Sequence, residues 1–443
     1  MSKVAFHTLG CKVNQIETEQ IKEDFIAHGY EPVDFADKAD IYIINTCTVT
    51  HVSDRKSRSM IRRAIRNNSN AIVAAIGCGA QVNGEKLAKI EGLDLVIGNK
   101  NKADLFKIIQ NYKSNNDTQI YVEPISKEDK LRPTIFSNPH ERTRAFIKIQ
   151  DGCQSFCSYC IVPFARGPIR SKLSEDVLSE LRQLLNLGYR EIVLSGIHTG
   201  FYGKDLKNTD LVKLLESLLK NTKEYDFRIR LSSIEALEVS NNLIDLIKHE
   251  SKLCKHFHVP LQSGSDKVLR DMNRRYSRKY YQELIFKIAE KVPGAALATD
   301  VMVGFPTEAE EDFIDTWELL KDLPLTHFHI FKYSKRPGTK AYNLKTLASE
   351  KEKNARSKIL LDLAKQKNQD FLTNNLGREV TLLVEQKLNH QYKGLTDNYI
   401  EVEFPSETNK IGDFVNVMLE NVQFESSKIR GKLICNGFTK DSV

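Results

Sequence analysis

The chain has 443 residues, a formal net charge of +7 and eight cysteines. Its length allows about three domains, and it contains no apolar stretch long enough to span a bilayer and no apolar core of a secretory signal at the N-terminus. We therefore expect a cytoplasmic protein without a membrane partner, in which thiols stay reduced and serve metals or catalysis rather than disulfides. The positive charge suits a polyanionic partner without identifying one.

The first part of the chain alternates short apolar segments with helical patterns. This alternation predicts an α/β protein whose N-terminal domain, over 1–110, is an open parallel sheet with helices on its faces. The predicted strands cover 3–9, 40–45 and 71–76, and the predicted helices cover 15–28, 53–67 and 85–90.

One cysteine follows each of these three strands. Cys11, Cys47 and Cys78 lie one to three residues past a predicted strand end, and in an open α/β sheet such positions share the carboxyl edge, where ligands bind. Gly10 and Gly77 would let the backbone approach a cluster closely. The pattern favours a three-cysteine iron–sulfur site, and three buried structural thiols are the alternative.

Residues 111–142 contain Pro124, Pro133 and Pro139 and are predicted as a linker with one extended strand over 119–122. Over 143–370 the alternation resumes, and six β/α units predict a partial (β/α)6 barrel with its chemistry at the strand carboxyl ends. The predicted strands cover 145–150, 191–195, 228–232, 256–260, 298–303 and 327–333, with helices such as 175–187 and 278–291 between them.

Three further cysteines, Cys153, Cys157 and Cys160, follow the first barrel strand with the spacing C-x3-C-x2-C. Zinc usually recruits four ligands as two pairs, whereas three thiolates on an iron–sulfur cube leave the fourth iron open. An open iron can chelate a small molecule that carries an amine beside a carboxylate. A zinc knuckle is the alternative interpretation.

Polar and glycine residues follow the other barrel strands, where they predict a nucleoside-sized pocket. Each residue alone is also explained by a capping role in a loop. With the aromatic residue before the last cysteine, the predicted cofactor-binding set is Tyr159, Ser195, Gly196, Ser232, Glu235, Gln262, Ser263, Asp300 and Gly304.

The tail changes to strands without helices between them. Five segments, over 378–384, 394–397, 399–404, 413–422 and 429–434, predict a small all-β barrel over 371–439 that resembles an oligonucleotide-binding fold. Residues 371–443 carry a net charge of −2, so RNA contact there must use a local patch with Lys428, Arg430 and Lys432. A purely structural β cap is the alternative.

Basic residues cluster at three other places. Each cluster is either a solvated face or part of a phosphate track, and their position near strand carboxyl ends favours the track. The predicted RNA contacts are Arg62, Arg63 and Arg66 after Cys47, Arg166 and Arg170 after the barrel cysteines, and Arg274 and Arg275 before a barrel helix.

Together these features resemble the radical S-adenosylmethionine methylthiotransferases, and the resemblance covers 1–439. Its motifs are TLGCKVNQIETE over 8–19, NTCTVT over 45–50, HVPLQSGS over 258–265 and DVMVGFPTE over 300–308. GCKVN over 10–14 and ARGPIRS over 165–171 look like the branch that acts on threonylcarbamoyladenosine in tRNA. Other branches act on isopentenyladenosine in tRNA or on an aspartate of a ribosomal protein.

The resemblance implies two 4Fe-4S clusters and S-adenosylmethionine as both radical source and methyl donor. Cys153, Cys157 and Cys160 would hold the radical-generating cluster, and Cys11, Cys47 and Cys78 the cluster that carries sulfur. Carbon 2 of the modified adenosine at position 37, beside the tRNA anticodon, would receive a methylthio group. The terminal barrel would be TRAM-like, and the threonylcarbamoyl carboxylate needs a cation, for which Arg166 and Arg170 are candidates.

The family resemblance assigns catalysis to no residue beyond the cluster ligands. It implies an electron donor such as flavodoxin or ferredoxin and a sulfur source as further partners. Two other hypotheses stay open: a methylthiotransferase that modifies a ribosomal protein, against which the basic helix around 55–66 argues, and a non-catalytic iron–sulfur protein that binds RNA or transfers electrons, against which the nucleoside-sized pocket argues.

Overall fold

The computed structural model of the chain describes residues 1–113, 117–134, 143–389, 391–406, 410–423, 425 and 427–434. Two parts of the predicted linker, 114–116 and 135–142, and the eighth cysteine, Cys435, lie outside these residues. The described chain comprises a parallel α/β sheet, a partial barrel and a closed β-barrel, which confirms the predicted fold class.

The N-terminal sheet has six strands in the order β2-β1-β3-β4-β5-β6, and all five neighbouring pairs are parallel. Apolar clusters cover both faces, as expected for a parallel sheet between helices. The elements are β1 Lys3–Thr8, α1 Lys12–Ala27, β2 Glu31–Val33, β3 Ile41–Thr46, α2 His51–Asn67, β4 Ile72–Gly77, α3 Cys78–Ala88, β5 Leu95–Ile97, α4 Leu105–Gln110 and β6 Gln119–Tyr121.

Two differences from the predicted N-terminal elements have local causes. Strands β2 and β5 were not predicted, because three residues are too few for a periodic pattern. Helix α3 begins at Cys78 rather than at residue 85. Gly79 and Gly84 are typical of a loop in the sequence, but in the structure they allow the helix to pack closely. A Cβ at Gly79 would lie 2.6 Å from Thr46 Oγ1. The strand predicted over 119–122 is confirmed as β6, so the sheet extends into the predicted linker.

The central region contains the six predicted parallel strands around a shared apolar core that packs against the outer helices. A short strand, β8, pairs antiparallel with β7. The elements are β7 Arg144–Asp151, α5 Val162–Arg166, β8 Arg170–Ser171, α6 Ser174–Asn186, β9 Glu191–Gly196, α7 Leu211–Lys220, β10 Arg228–Leu231, α8 Asn241–His249, β11 His256–His258, α9 Asp266–Asp271, α10 Arg278–Lys291, β12 Ala296–Val303, α11 Glu310–Asp322, β13 His327–Lys332 and α12 Glu350–Thr373.

The N-terminal α/β region closes the gap between the first and last barrel strands. Glu17 of α1 pairs with Lys148 on β7 at 2.9 Å, and Arg336, which follows β13, donates to the Thr48 carbonyl at 3.0 Å and pairs with Asp54 at 2.8 Å. Contacts at both edges of an incomplete barrel hold the two regions together.

The C-terminal strands form a closed barrel in the order β14-β15-β16-β18-β17. It packs at the amino ends of the central strands, where Arg228 and Arg230 of β10 donate to the carbonyls of Leu395, Thr396 and Asp397. The strands are β14 Glu379–Leu388, β15 Gln391–Thr396, β16 Glu401–Pro405, β17 Phe414–Gln423 and β18 Lys428–Leu433. All five predicted strands are present, although helix α12 crosses the expected boundary at 370.

Candidate active site with two cysteine triplets

The N-terminal triplet (Cys11, Cys47 and Cys78) lies along the carboxyl edge of β1, β3 and β4. Cys11 is the N-cap of α1, Cys47 directly follows β3, and Cys78 is the first residue of α3. Gly10 adopts a φ of 99°, and a Cβ there would come within 2.8 Å of the Cys47 Cβ. The positions predicted from the spacing therefore meet at one edge of the sheet, and glycine is required for this approach.

The barrel triplet (Cys153, Cys157 and Cys160) lies in the loop that follows β7. Asn273 fixes the outer part of the loop, because its amide donates to the Ser155 and Phe156 carbonyls at 3.1 Å. This support holds Phe156 at a φ of 45°, a conformation that is unusual for a bulky residue. The loop thus has a defined shape at the carboxyl end of the barrel.

Neither cysteine triplet has the close sulfur spacing of a preformed zinc site. With Zn–S bonds of about 2.3 Å, thiolates on one tetrahedral zinc lie about 3.8 Å apart. Neither triplet is among the groups of His, Cys, Asp and Glu whose ligand atoms all lie within 4.8 Å of one another in the described part of the chain. In a 4Fe-4S cube each thiolate binds a different iron, so three cysteines can bind one cube without such a close approach.

Positive groups surround the barrel triplet. Arg274 Nη1 lies 3.5 Å from Cys157 Sγ, and His198 Nδ1 lies 3.5 Å from Cys153 Sγ. Burial raises the pKa of Cys160 to about 12. At Cys153 burial also acts to raise the pKa, but the hydrogen bond and charge of His198, together with hydrogen bonds from Ser155, outweigh burial and lower the pKa. A buried thiol with a raised pKa ionises beside a strong cation, which the iron of a cluster would supply.

The predicted cofactor-binding residues divide into two groups. Glu235 accepts two hydrogen bonds from Arg274, which places its carboxylate beside Cys157, and Ser232 contacts Thr199 at 2.8 Å. Tyr159 packs edge-on against Phe305, and Gln262 takes a left-handed conformation next to β12. Ser195 is buried at the end of β9, and Gly196 packs against Gln150.

Two predicted residues have packing contacts instead. Ser263 is buried and its hydroxyl contacts Thr316 of α11 at 3.3 Å, so this side chain is not available to a cofactor. Gly304 faces α12, where an added Cβ would lie 2.4 Å from Lys353 Cγ. Both residues hold the outer helices against the strand ends, and this packing explains their residue types.

Asp300 belongs to a polar group on β11, β12 and β13. Its Oδ1 lies 2.9 Å from His258 Nε2 and 3.1 Å from His329 Nδ1, and these three residues form the one set of His, Cys, Asp or Glu ligand atoms within 4.8 Å that the described residues contain. Burial opposes the charge of Asp300, but the two histidines outweigh it and lower its pKa. The sequence predicted Asp300 as a cofactor contact but did not indicate that His258 and His329 lie beside it.

Three of the arginines predicted to contact RNA are buried. Arg166 is 0% exposed and Arg170 is 7% exposed, and both lie beside Asp151. Arg274 is also buried and pairs with Glu235. These placements contradict a role in a solvent-facing phosphate track. A run of basic residues in a sequence does not show which of them form ion pairs and become buried.

The other predicted RNA contacts, except Lys428, are exposed. Arg62, Arg63 and Arg66 share the solvent face of α2, and Arg275 is exposed beside the barrel loop. Arg430 and Lys432 are exposed on β18, but the terminal barrel packs at the amino ends of the central strands, opposite to the cysteine loop. Lys428 pairs with Glu403 and is partly covered.

A cavity of about 870 Å³ opens beside the barrel triplet. Its lining includes Cys157, His198, Glu235, Arg274 and Arg275. The size lies in the range of cofactor and small-molecule sites. Polar groups of both charges therefore face a concave space next to the loop.

Comparison with known proteins agrees with this geometry. Residues 3–98 match the family model described as "Uncharacterized protein family UPF0004", and residues 147–320 match the Radical SAM superfamily. The chain is 43% identical over 417 residues to the threonylcarbamoyladenosine tRNA methylthiotransferase MtaB of Aquifex aeolicus, covering 94% of this chain and all of that protein. This chain belongs to the radical S-adenosylmethionine tRNA methylthiotransferases. Enzymes of this family use S-adenosylmethionine and iron–sulfur clusters.

Other methylthiotransferases show how close the branches of the family are. MtaB of Bacillus subtilis is 40% identical over 95% of this chain and 94% of that protein, and the tRNA-2-methylthio-N(6)-dimethylallyladenosine synthase of Pseudothermotoga lettingae is 34% identical over 97% and 98%. Among solved structures, the radical S-adenosylmethionine methyltransferase TsrM of Kitasatospora setae covers 77% of this chain and 74% of its own with a TM-score of 0.58 at 14% identity. That similarity concerns the fold alone. No described helix is both long and apolar enough to cross a membrane.

Proposed function

We propose that this methylthiotransferase places a methylthio group on carbon 2 of N6-threonylcarbamoyladenosine at position 37 of tRNA. The observation that carries this substrate is the difference in identity between the two branches. Relatives named for threonylcarbamoyladenosine reach 43% and 40% identity, whereas one named for dimethylallyladenosine reaches 34% over a similar length. A further MtaB, from Thermotoga maritima, is 32% identical, within the range of the dimethylallyladenosine relatives, so the nucleoside analysis described below separates the two branches.

The two cysteine triplets support a division of labour within the proposal. The barrel triplet, with Arg274, His198 and Glu235 around it, would hold the cluster that binds and cleaves S-adenosylmethionine. The N-terminal triplet would hold a second cluster that carries the sulfur. Tyr159, Ser195, Gly196, Ser232, Gln262 and Asp300 remain candidates for contacts with S-adenosylmethionine. The cofactors supply the radical chemistry, while the chain positions the base and excludes water.

The exposed arginines of α2 support RNA as the substrate class. Arg62, Arg63 and Arg66 share the solvent face of a helix that begins five residues after the end of β3 and four residues after Cys47. Single-stranded loops present unstacked bases that can enter a pocket, and an anticodon loop has this property. A ribosomal-protein substrate would not require a basic face that binds phosphates.

The proposed reaction requires two further partners, an electron donor and a sulfur source. Reductive cleavage of S-adenosylmethionine consumes electrons, for which a flavodoxin or a ferredoxin is a suitable donor. Insertion of sulfur consumes a sulfur source. The reduced electron donor fits a cytoplasmic location, where thiols also stay reduced.

The experiment that tests the substrate is mass spectrometry of tRNA nucleosides from a strain that lacks this protein. We expect 2-methylthio-N6-threonylcarbamoyladenosine to disappear, its unmethylthiolated precursor to accumulate, and a plasmid copy to restore the product. A plasmid copy with Cys153, Cys157 and Cys160 changed to alanine is the matched control and should not restore it. Loss of the methylthiolated isopentenyl- or dimethylallyl-type nucleoside instead would assign the chain to the other branch, and unchanged tRNA would contradict an RNA substrate.

A further inference from the structure

The most unusual buried side chain in the described structure is Arg166. It is the last residue of α5, six positions past Cys160, and it is fully buried in the N-terminal region. Its Nε lies 3.2 Å from Cys78 Sγ. A residue carried by the loop of one cysteine triplet therefore contacts a sulfur of the other.

Every N–H of the Arg166 guanidinium has a partner. Nη1 donates to Glu17 at 2.7 Å and to Asp151 at 3.2 Å, and Nη2 donates to Asn14 and to Glu17. The remaining N–H, on Nε, points to Cys78. A guanidinium can satisfy this fixed fork of acceptors, whereas a lysine ammonium cannot.

Asn99 makes a second link between the triplets. Its amide donates to the carbonyl of Ala165 in α5 at 2.6 Å and lies 3.6 Å from Cys78 Sγ. After Arg166 the helix ends at Gly167, whose φ of 68° turns the chain away. The geometry of this helix end thus fixes the guanidinium against the sulfur.

The buried network around Arg166 has an excess of positive charge. Its anions are Glu17 and Asp151, and its cations are Arg166, Arg170, Lys102 and Lys148. All six side chains are buried, with exposed fractions between 0% and 11%. Buried charges without partners are strongly unfavourable, so this excess calls for an anion at the same place.

The N-terminal cysteine triplet supplies that anion when it holds a cluster. An oxidised 4Fe-4S cube with three thiolate ligands is negatively charged, and reduction adds a further negative charge. Nearby positive charge and hydrogen bonds to the sulfurs favour the reduced state of such a cluster. The cation excess and the Nε–H donor to Cys78 act in the same direction.

We infer that Arg166 is a positioning residue that docks the N-terminal triplet on the radical barrel and raises the reduction potential of the cluster held there. This inference rests on the second cluster of the proposed function. It replaces the sequence-based role of Arg166 as a reader of RNA. The barrel triplet has a counterpart in Arg274, which contacts Cys157.

The test uses the full-length chain with Cys153, Cys157 and Cys160 changed to alanine, so that iron at the N-terminal triplet is measured alone. In this background Arg166→Gln removes the charge, Arg166→Lys keeps the charge but loses the fork, and Arg182→Gln alters an exposed arginine on α6 as a control. Iron and sulfide content and an EPR-monitored redox titration are measured for each protein after anaerobic reconstitution.

We expect about four irons in the parent and a midpoint potential that shifts to more negative values in Arg166→Gln, less so in Arg166→Lys, and not in Arg182→Gln. An unchanged potential in Arg166→Gln with iron bound would overturn the inference. A parent that binds no iron would instead contradict the second cluster and hence the proposed function.

If Arg166→Gln binds no iron in this background, it is measured with all six cysteines restored. Retention of the barrel iron with loss of the N-terminal iron supports the inference, because the defect is then confined to the triplet that Arg166 contacts. Equal loss of iron at both triplets would overturn it, since that result indicates general misfolding.

Discussion

At the scale of single residues, Gly10 has no side chain, and this allows the backbone that follows β1 to lie against Cys47. We expect Gly10→Ala to lose the N-terminal iron, because the new Cβ would lie 2.8 Å from the Cys47 Cβ and 2.9 Å from its sulfur. Iron analysis after reconstitution should show about half of the parent content.

Gly29→Ala is the matched control for this prediction. Gly29 also has a positive φ, of 82°, but a Cβ there meets nothing within 4 Å. Both variants therefore introduce backbone strain, whereas only Gly10→Ala introduces a contact with the triplet. Equal iron in the two proteins would show that the close approach at Gly10 is not needed for metal binding.

The cysteines could be predicted from the sequence, but the fate of the arginines could not. All six cysteines lie at strand carboxyl ends as expected, because strand periodicity and the α/β topology fix those positions. Arg62 and Arg166 look alike in a sequence, although one is exposed and the other is buried. Burial of an arginine depends on carboxylates such as Glu17 and Asp151, which come from distant segments.

At the scale of elements, helix α2 carries the basic face on which RNA binding is proposed to depend. We expect changing Arg62, Arg63 and Arg66 together to glutamine to weaken tRNA binding and to reduce the slope of log K against log salt. Each lost phosphate contact removes about one released counterion. Filter binding or anisotropy across a salt series measures both quantities.

A control with the same change of charge is provided by Arg182, Lys220 and Lys223, three exposed residues on or beside α6 and α7. Their replacement by glutamine should leave the salt slope unchanged. Cleavage of S-adenosylmethionine without RNA should be the same in both variants. An unaltered slope in the α2 variant would show that its arginines form a solvated face only.

The C-terminal β-barrel is held by a buried charge cluster. Burial opposes the charge of Glu191, but Arg230 and Arg228 outweigh it and lower its pKa from 4.5 to about 2. The stabilisation from Glu191 is thus fully present above pH 4.5 and declines as the pH falls towards 2, and it amounts to about 3 kcal/mol at neutral pH.

We expect Glu191→Gln to lower the free energy of unfolding at pH 7 by about this amount or more, since Arg228 and Arg230 would be left buried without a counter-charge. The difference from the parent should narrow as the pH falls below 4.5. Urea unfolding followed by circular dichroism at several pH values measures it, with exposed Glu216→Gln as control. A constant difference at every pH would contradict the ion-pair role.

The fold could be predicted where segments were long and periodic. Strands β3, β4 and β12 and all five strands of the terminal barrel were found within a few residues, whereas β2 and β5, with three residues each, carry too little pattern. The packing of the terminal barrel at the amino ends of the central strands depends on side-chain contacts to the carbonyls of β15 and the turn that follows. Such contacts between distant segments leave no periodic signal.

At the scale of the whole molecule, the α/β region closes an incomplete barrel and brings a second cysteine triplet to its open side. Wild-type protein should hold about eight irons and eight sulfides after anaerobic reconstitution, and either triple cysteine-to-alanine variant should hold about half. Iron and acid-labile sulfide assays measure these contents. Wild-type protein that saturates at about four irons would contradict two clusters.

The central claim is that the two triplets have different roles in one reaction. It is tested most directly by measuring 5′-deoxyadenosine and methylthiolated nucleoside in the same anaerobic reaction with tRNA that contains threonylcarbamoyladenosine. With Cys11, Cys47 and Cys78 changed to alanine, we expect 5′-deoxyadenosine to form while methylthiolation stops, and with the barrel triplet changed, both to stop. Methylthiolation by the N-terminal triple variant would contradict the claim.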